Sequence, residues 1–134
     1  MNLTTNLTIT ALYASLLALL FIALSVNIIR LRFKLKVGVG DGGESTLTKA
    51  IRVHGNFSEY IPLALFLLGS YELSGANTLW VHIAGATLFV GRIFHALGLS
   101  KSIGTSAPRA VGTVATFLIL LMLAVENIRL FLLA

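Results

Sequence analysis

R-V-H-G-N-F-S-E-Y-I-P, residues 52 to 62, begins charged and polar and runs straight into the apolar series Ile61, Leu63, Ala64, Leu65, Phe66, Leu67, Leu68. If that series is a membrane helix, Arg52, Asn56 and Glu59 are carried into the bilayer with it. A charged residue at the centre of such a helix costs roughly 2.5 to 3.5 kcal/mol, and each Leu, Ile or Phe offsets only about 0.3 to 0.6. Charges held against that cost mark a stretch with a task.

The rest of the chain supports the membrane reading. Hydrophobic residues make up 57% and charged residues 11%, about half the charged share of a soluble domain, and the mean hydropathy is +0.93. Four spans of roughly 20 residues consume most of the 134 residues, so the sequence predicts an all-α integral membrane four-helix bundle in a single domain. The spans are expected at about 9–32, 47–73, 77–99 and 108–133. The run from Ile9 to Ile29 exceeds the apolar core of a signal peptide and reads as a retained first span.

Ten Lys and Arg face five Asp and Glu, a net charge of +5. In a soluble protein that balance raises nucleic acid as a partner; here the placement argues for membrane lipid instead. Arg30, Arg32, Lys34, Lys36, Lys49 and Arg52 surround the first connection, Arg92, Lys101 and Arg109 surround the third, and the second has none. The positive-inside rule puts the first and third connections in the cytoplasm and both termini on the outer side, with Arg129 the one dissenting charge. Cysteine is absent, which excludes disulfides and thiolate metal sites, so any thiol chemistry must use a ligand's thiol. Three widely separated histidines, one on the second span and two on the third, make no convincing metal site.

On the second helix, at 100° per residue, Asn56 falls near +40° and Glu59 near −20° from Arg52, so the three form one stripe; His54 points away, near 200°. A structural reading makes Arg52 and Glu59 an intramembrane ion pair. A binding reading gives Arg52 to a carboxylate, Asn56 to a peptide group and Glu59 to an ammonium, the needs of a zwitterionic peptide-like ligand. Pro62 should bend the helix below the stripe. Arg30 belongs either to a cationic collar at the lipid head groups or to an anionic ligand. G-V-G-D-G-G, residues 38 to 43, lacks the Lys and the strand–helix setting of a phosphate loop and reads as a turn leading to an N-cap at Ser45 or Thr46. Trp80 and Tyr71 read as interface anchors and His82 as an interface residue. Gly85, Gly91 and Gly98 allow close helix approach. Arg92 and His95, one turn apart, are a snorkelling cation with a hydrogen-bonded histidine, or ligand contacts. Pro108 opens the fourth helix, with Arg109 at its mouth, and Glu126 with Arg129 forms a local pair.

The string Arg52, Asn56, Glu59, Tyr60, Pro62 on the second of four spans resembles the signature of the MAPEG family, the membrane-associated proteins of eicosanoid and glutathione metabolism. The stretches V-G-V-G-D-G-G and A-I-R-V-H-G-N-F-S-E-Y-I-P resemble its bacterial inner-membrane branch. That resemblance implies a homotrimer of four-helix subunits, with glutathione as co-substrate held at each subunit interface near the cytoplasmic side and a lipophilic small molecule as second substrate. It implies Arg52, Asn56, Glu59 and Tyr60 as glutathione contacts, with His54 at a position where some members touch the ligand and Arg30 like the basic residue at the end of their first helix; Arg92 and His95 are added as candidate contacts from their place on the third span. The sequence departs from the family where members making eicosanoid products carry tyrosines, here His95 and Leu99. The family's catalytic arginine falls in ungapped register on Ser106, three residues before Arg109, which is the candidate for thiol activation with Arg30 in reserve.

The function these residues imply is that of a glutathione transferase or peroxidase-like enzyme acting on lipophilic electrophiles in the bacterial inner membrane. Two alternatives stand beside it: a small proton-coupled multidrug exporter using Glu59, and a non-catalytic membrane protein that keeps the fold.

Overall fold

The computed structural model describes residues 6–101 and 107–134. Four helices follow one another: α1 (Thr8–Leu35), α2 (Ser45–Leu73), α3 (Thr78–Lys101) and α4 (Ala107–Leu133). The first, third and fourth are long and apolar enough to cross a membrane. α2 is the longest, at 29 residues or about 44 Å, but Lys49, Arg52, Glu59 and Glu72 lower its apolar character. It tolerates these charges by being the inner helix. It packs on all three others, whereas α1 and α4 do not touch among the described residues.

The buried residues of α2 form one stripe: Leu47, Ala50, Val53, Phe57, Ile61, Ala64, Leu68 and Tyr71, at spacings of three and four that keep one helical face inward. Along it the core has three layers. Leu31, Leu47 and Ala50 close the end bearing the α1–α2 loop; Leu17, Phe57, Ile61, Ala64 and Leu88 fill the middle; Leu68, Tyr71, Val81, Ala84, Ile119 and Leu123 fill the end bearing the chain termini. Tyr71, expected at an interface, is therefore a core residue, 5% exposed, while Trp80 stays half-exposed at 51%. α2 continues unbroken through Pro62.

Because lipid is as apolar as leucine, close packing and hydrogen bonds, more than water exclusion, hold such helices together. Gly91 and Gly112 bring the α3 and α4 backbones together, and a Cβ on Gly112 would lie 2.7 Å from His95 Cβ and 2.8 Å from its backbone nitrogen. Gly85 instead receives the Tyr13 ring of α1. Asn127 Nδ2 donates to Leu67 O on α2 at 3.1 Å and to Leu123 O at 2.8 Å. At the terminal end the Glu72 carboxylate accepts from the Ile9 and Thr10 amides at 2.9 and 2.7 Å, capping α1 from another helix. His82 accepts from or donates to Tyr13 Oη at 3.0 Å, tying α3 to α1.

The α1–α2 loop is folded on itself. Arg32 Nη1 donates to Gly40 O at 2.8 Å and Val37 O at 3.3 Å. Asp41 accepts from the Gly43 amide at 3.0 Å and the Thr48 hydroxyl at 2.9 Å. Gly43 has φ +75°, a left-handed conformation that glycine adopts without strain. The α2 N-cap is Glu44, with no side-chain capping bond, so neither Ser45 nor Thr46 is the cap; the first turn is tied to the loop by the Thr48 hydroxyl, which donates to Asp41.

Candidate functional site

α2 starts, α3 ends and α4 starts at the same end of the bundle, and between them lies a cavity of about 320 Å³. Its wall is Thr48, Lys49, Arg52 and Asn56 from α2, His95 from α3, and Arg109 and Thr113 from α4. Both helix N-termini there lack an acidic residue in the first turn, so their partial positive charges add to those of Lys49, Arg52 and Arg109. Among the described residues no carboxylate lines the wall. The chemistry is that of an anion site with one amide acceptor.

That acceptor is incomplete. Asn56 Oδ1 is buried and has no hydrogen-bond partner, a state that costs about 1 to 3 kcal/mol in a protein interior. A ligand N–H would relieve it.

Behind the wall is Arg92, expected to snorkel. It does the opposite: it is 2% exposed, the largest fully buried side chain of the described residues. Its guanidinium carbon is 5.8 Å from the centroid of the Phe57 ring, a cation–π distance, and Nη2 lies 3.4 Å from His95 Nδ1. The small residues of α3 and α4 let it stay inside, and Phe57 of the α2 stripe gives it a face. His95, itself 3% exposed, meets Arg92 on one side and the cavity on the other. It is thus both a hydrogen-bonded histidine and a wall residue.

The structure sorts the remaining sequence candidates by face. Arg109, out of register with the family's arginine by sequence counting, stands on the cavity wall because α4 begins at Ala107 and puts it in the first turn. Ser106 lies outside the described residues, as does the side chain of Leu99. Glu59 is exposed and off the cavity wall. It forms no ion pair with Arg52; the Glu126–Arg129 pair, 2.8 Å, is the one seen among the described residues. The intramembrane lock is excluded within the subunit. Tyr60 packs edge-on against Phe117 of α4, centroids 5.3 Å apart.

His54 and Arg30 belong to the opposite side of α2. His54 Nε2 is 3.0 Å from Ser25 Oγ, and its ring lies 4.6 Å from that of Phe21; within one subunit it joins α2 to α1 and does not reach the cavity. Arg30 donates to Asn27 Oδ1 at 3.0 Å and lines a second cavity of about 300 Å³ with Asn27, Thr46 and Lys49. It is not on the wall that holds Arg109. Thr48 and Thr113 are wall residues that sequence reasoning passed over, although each lies four positions from an arginine already singled out, Arg52 and Arg109.

A four-helix membrane bundle with an R-x-x-x-N motif lining a cationic cavity defines a class, and the chain belongs to the MAPEG family, whose model matches residues 10–129. It is similar to inner membrane protein YecN of Escherichia coli K12, with 42% identity over 120 residues covering 90% of each chain. The protein of that name from Escherichia coli O6:H1 matches to the same extent. With three helices apolar enough to cross a membrane, the chain is a multi-pass integral membrane protein of the bacterial inner-membrane type.

Proposed function

We propose that this protein binds glutathione in the loop-end cavity and uses it as co-substrate, as a transferase or peroxidase-like enzyme, on lipophilic electrophiles dissolved in the bilayer. The observation that carries the reading is the buried, unpartnered Asn56 Oδ1 on a wall shared with Lys49, Arg52 and Arg109. Glutathione offers what that wall lacks: two carboxylates for the cations and peptide N–H groups for the amide oxygen. Family membership supports the same ligand.

In this reading Arg52 and Lys49 hold the carboxylates, Asn56 registers the peptide, and Arg109 faces the thiol. A guanidinium beside a thiol stabilises the thiolate and lowers its pKa. The thiolate sulfur then attacks the electrophilic carbon; a C–S bond forms and the leaving group departs with the bonding electron pair. With a hydroperoxide, the thiolate attacks the terminal oxygen, the O–O bond breaks and the alkoxide leaves to become the alcohol; a second glutathione then attacks the resulting sulfenic acid, giving the disulfide and water. Arg30, His54, Glu59 and Tyr60 lie on other faces of the subunit, and their part as glutathione contacts belongs to an interface between copies in a homotrimer.

Detergent-solubilised protein should gain thermal stability from millimolar glutathione and conjugate a chlorinated nitrobenzene. Absence of that stabilisation, or its persistence in Arg52→Ala, would remove glutathione as the ligand. Binding without turnover across a broad electrophile panel would favour a non-catalytic member of the family. The exporter reading finds less support, because Glu59 stands outside the cavity; drug uptake into vesicles under a pH gradient, abolished by Glu59→Gln, would restore it.

A further inference from the structure

At the opposite end of the bundle, where the chain termini lie, a further cavity of about 500 Å³, mainly apolar with a charged pair on its wall, opens between the α2–α3 turn and the last turns of α4. It is larger than the loop-end cavity, and neither the family signature nor the proposed chemistry uses it. Its wall includes Tyr71, Trp80, Met122, Glu126, Arg129 and Leu130.

The charges on this wall balance. Arg129 donates to Glu126 from Nη2 at 2.8 Å and from Nε at 3.2 Å, which leaves both Nη1 hydrogens and one on Nη2 free of that carboxylate. Glu126 keeps lone pairs to spare. A simple anion arriving at Arg129 meets the glutamate, and a simple cation at Glu126 meets the arginine. A ligand carrying both charges a few ångströms apart satisfies the two together and need not break the pair. Tyr71 is 5% exposed and lines the cavity, and its hydroxyl forms no hydrogen bond to any described residue. The Trp80 ring is 51% exposed and offers a face to an ammonium.

The apolar part of the wall says where the rest of such a ligand goes. Met122 and Leu130 are its apolar lining, and on the same helix Val125 and Ile128 are exposed, apolar surface for acyl chains on the element that carries Glu126 and Arg129. Tryptophan is characteristic of that depth in a membrane.

We infer that this cavity binds a phosphate–ammonium zwitterion, with Arg129 on the phosphate and Glu126 and Trp80 on a primary ammonium. Two sources carry this chemistry, the headgroup of an ethanolamine phospholipid and a free phosphoethanolamine. A primary ammonium donates hydrogen bonds to Glu126 and a choline cannot, so the site distinguishes the two headgroups.

Trp80 is the only tryptophan in the chain, so its emission reports the cavity directly. Delipidated full-length protein in detergent is titrated with dioctanoyl phosphatidylethanolamine, the matching phosphatidylcholine and phosphatidylglycerol, and phosphoethanolamine. The expected result is a saturable shift of Trp80 emission with the ethanolamine lipid, moved to about tenfold higher concentration in both Glu126→Gln and Arg129→Gln, whose thermal transitions should match wild type because the pair is exposed. Equal shifts with all three lipids, or no change in either variant, overturn the proposal. Saturation by phosphoethanolamine at the same concentration as the lipid supports the zwitterion site with a soluble source; a response to the lipid alone supports the membrane source. Glutathione stabilisation should be unaltered in both variants, so this outcome stands apart from that at the loop end.

Discussion

Arg92 Nη2 lies 3.4 Å from His95 Nδ1 inside the bundle, with the Phe57 ring 5.8 Å from the guanidinium carbon and no carboxylate paired with it among the described residues. Donation by Arg92 requires a lone pair on Nδ1, so His95 is neutral and keeps its proton on Nε2. A buried charge is expensive, and replacing one with an apolar chain of similar length is often neutral or stabilising. Arg92→Met should therefore keep or raise the thermal midpoint in detergent. The same variant frees the His95 ring and should weaken glutathione binding by about tenfold, or 1.4 kcal/mol. A fall in stability with binding intact would mean that Arg92 serves packing only.

Asn56 sets stability against binding. Its buried Oδ1 has no partner among the described residues, so Asn56→Leu, alike in branching and heavy-atom count, removes an unmet acceptor. The free protein should gain about 1 kcal/mol, read as a higher midpoint without glutathione. The increment that glutathione adds to wild type should disappear. A variant less stable than wild type would show that Asn56 is satisfied in the free protein.

Much of this architecture is legible in the sequence, and the parts that are not have a common cause. Spans, loop ends and the Arg52–Asn56 stripe follow from length, charge placement and the helical period. The inward face does not, because leucines such as Leu19, Leu63 and Leu121 are exposed as readily as others are buried. In a membrane protein hydrophobicity does not mark the core; small residues such as Ala64, Ala84 and Gly112 do. That is why Tyr71 reads as an interface anchor, and Arg92 as either a snorkelling cation or a ligand contact, although both are internal. Arg109 is displaced by three residues, almost one helical turn, from the family's register, and its place on the cavity wall follows from the start of α4 at Ala107, which the sequence pattern alone does not locate. His54 pointed away from the stripe by angle alone, and its bond to Ser25 agrees.

The α3–α4 contact should be intolerant of a methyl group at one glycine and less so at the other. A Cβ on Gly112 would press on Gly91 O and on His95 Cβ and N within 2.8 Å, whereas one on Gly91 meets Ala115 Cβ at 3.2 Å and Gly112 backbone at 3.5 Å or more. Gly112→Ala should cost about 1 to 3 kcal/mol, the range for overpacking, and should disturb His95 and with it the cavity. Gly91→Ala should lose less. Equal losses in thermal scans would show that α4 moves as a rigid body to absorb either methyl.

The α1–α2 loop carries a pH dependence with a definite sign. The Gly43 amide, and after it the Thr48 hydroxyl, hold the Asp41 carboxyl below its usual value of 3.8. The folded loop thus favours the charged form; its contribution is complete above the ordinary carboxylate range and is lost as pH falls through the lowered folded value. Limited proteolysis of the loop should be slow and constant from neutral pH down to about 5 and should accelerate only in stronger acid. In Asp41→Ala it should be fast throughout.

Glu72 caps a helix that is distant in sequence. Its two oxygens take the Ile9 and Thr10 amides at 2.9 and 2.7 Å, and α1 has no side-chain cap of its own. The charge also faces the positive end of the α1 dipole. A glutamine has one acceptor oxygen where the carboxylate has two and no charge, so Glu72→Gln should cost about 1 kcal/mol, the typical worth of a cap. The loss should be local: amide exchange should accelerate in the first turn of α1, while the layer around Phe57 and Leu88 and glutathione binding at the far end keep their wild-type behaviour. Exchange raised evenly over all four helices would instead make Glu72 a support of the whole bundle.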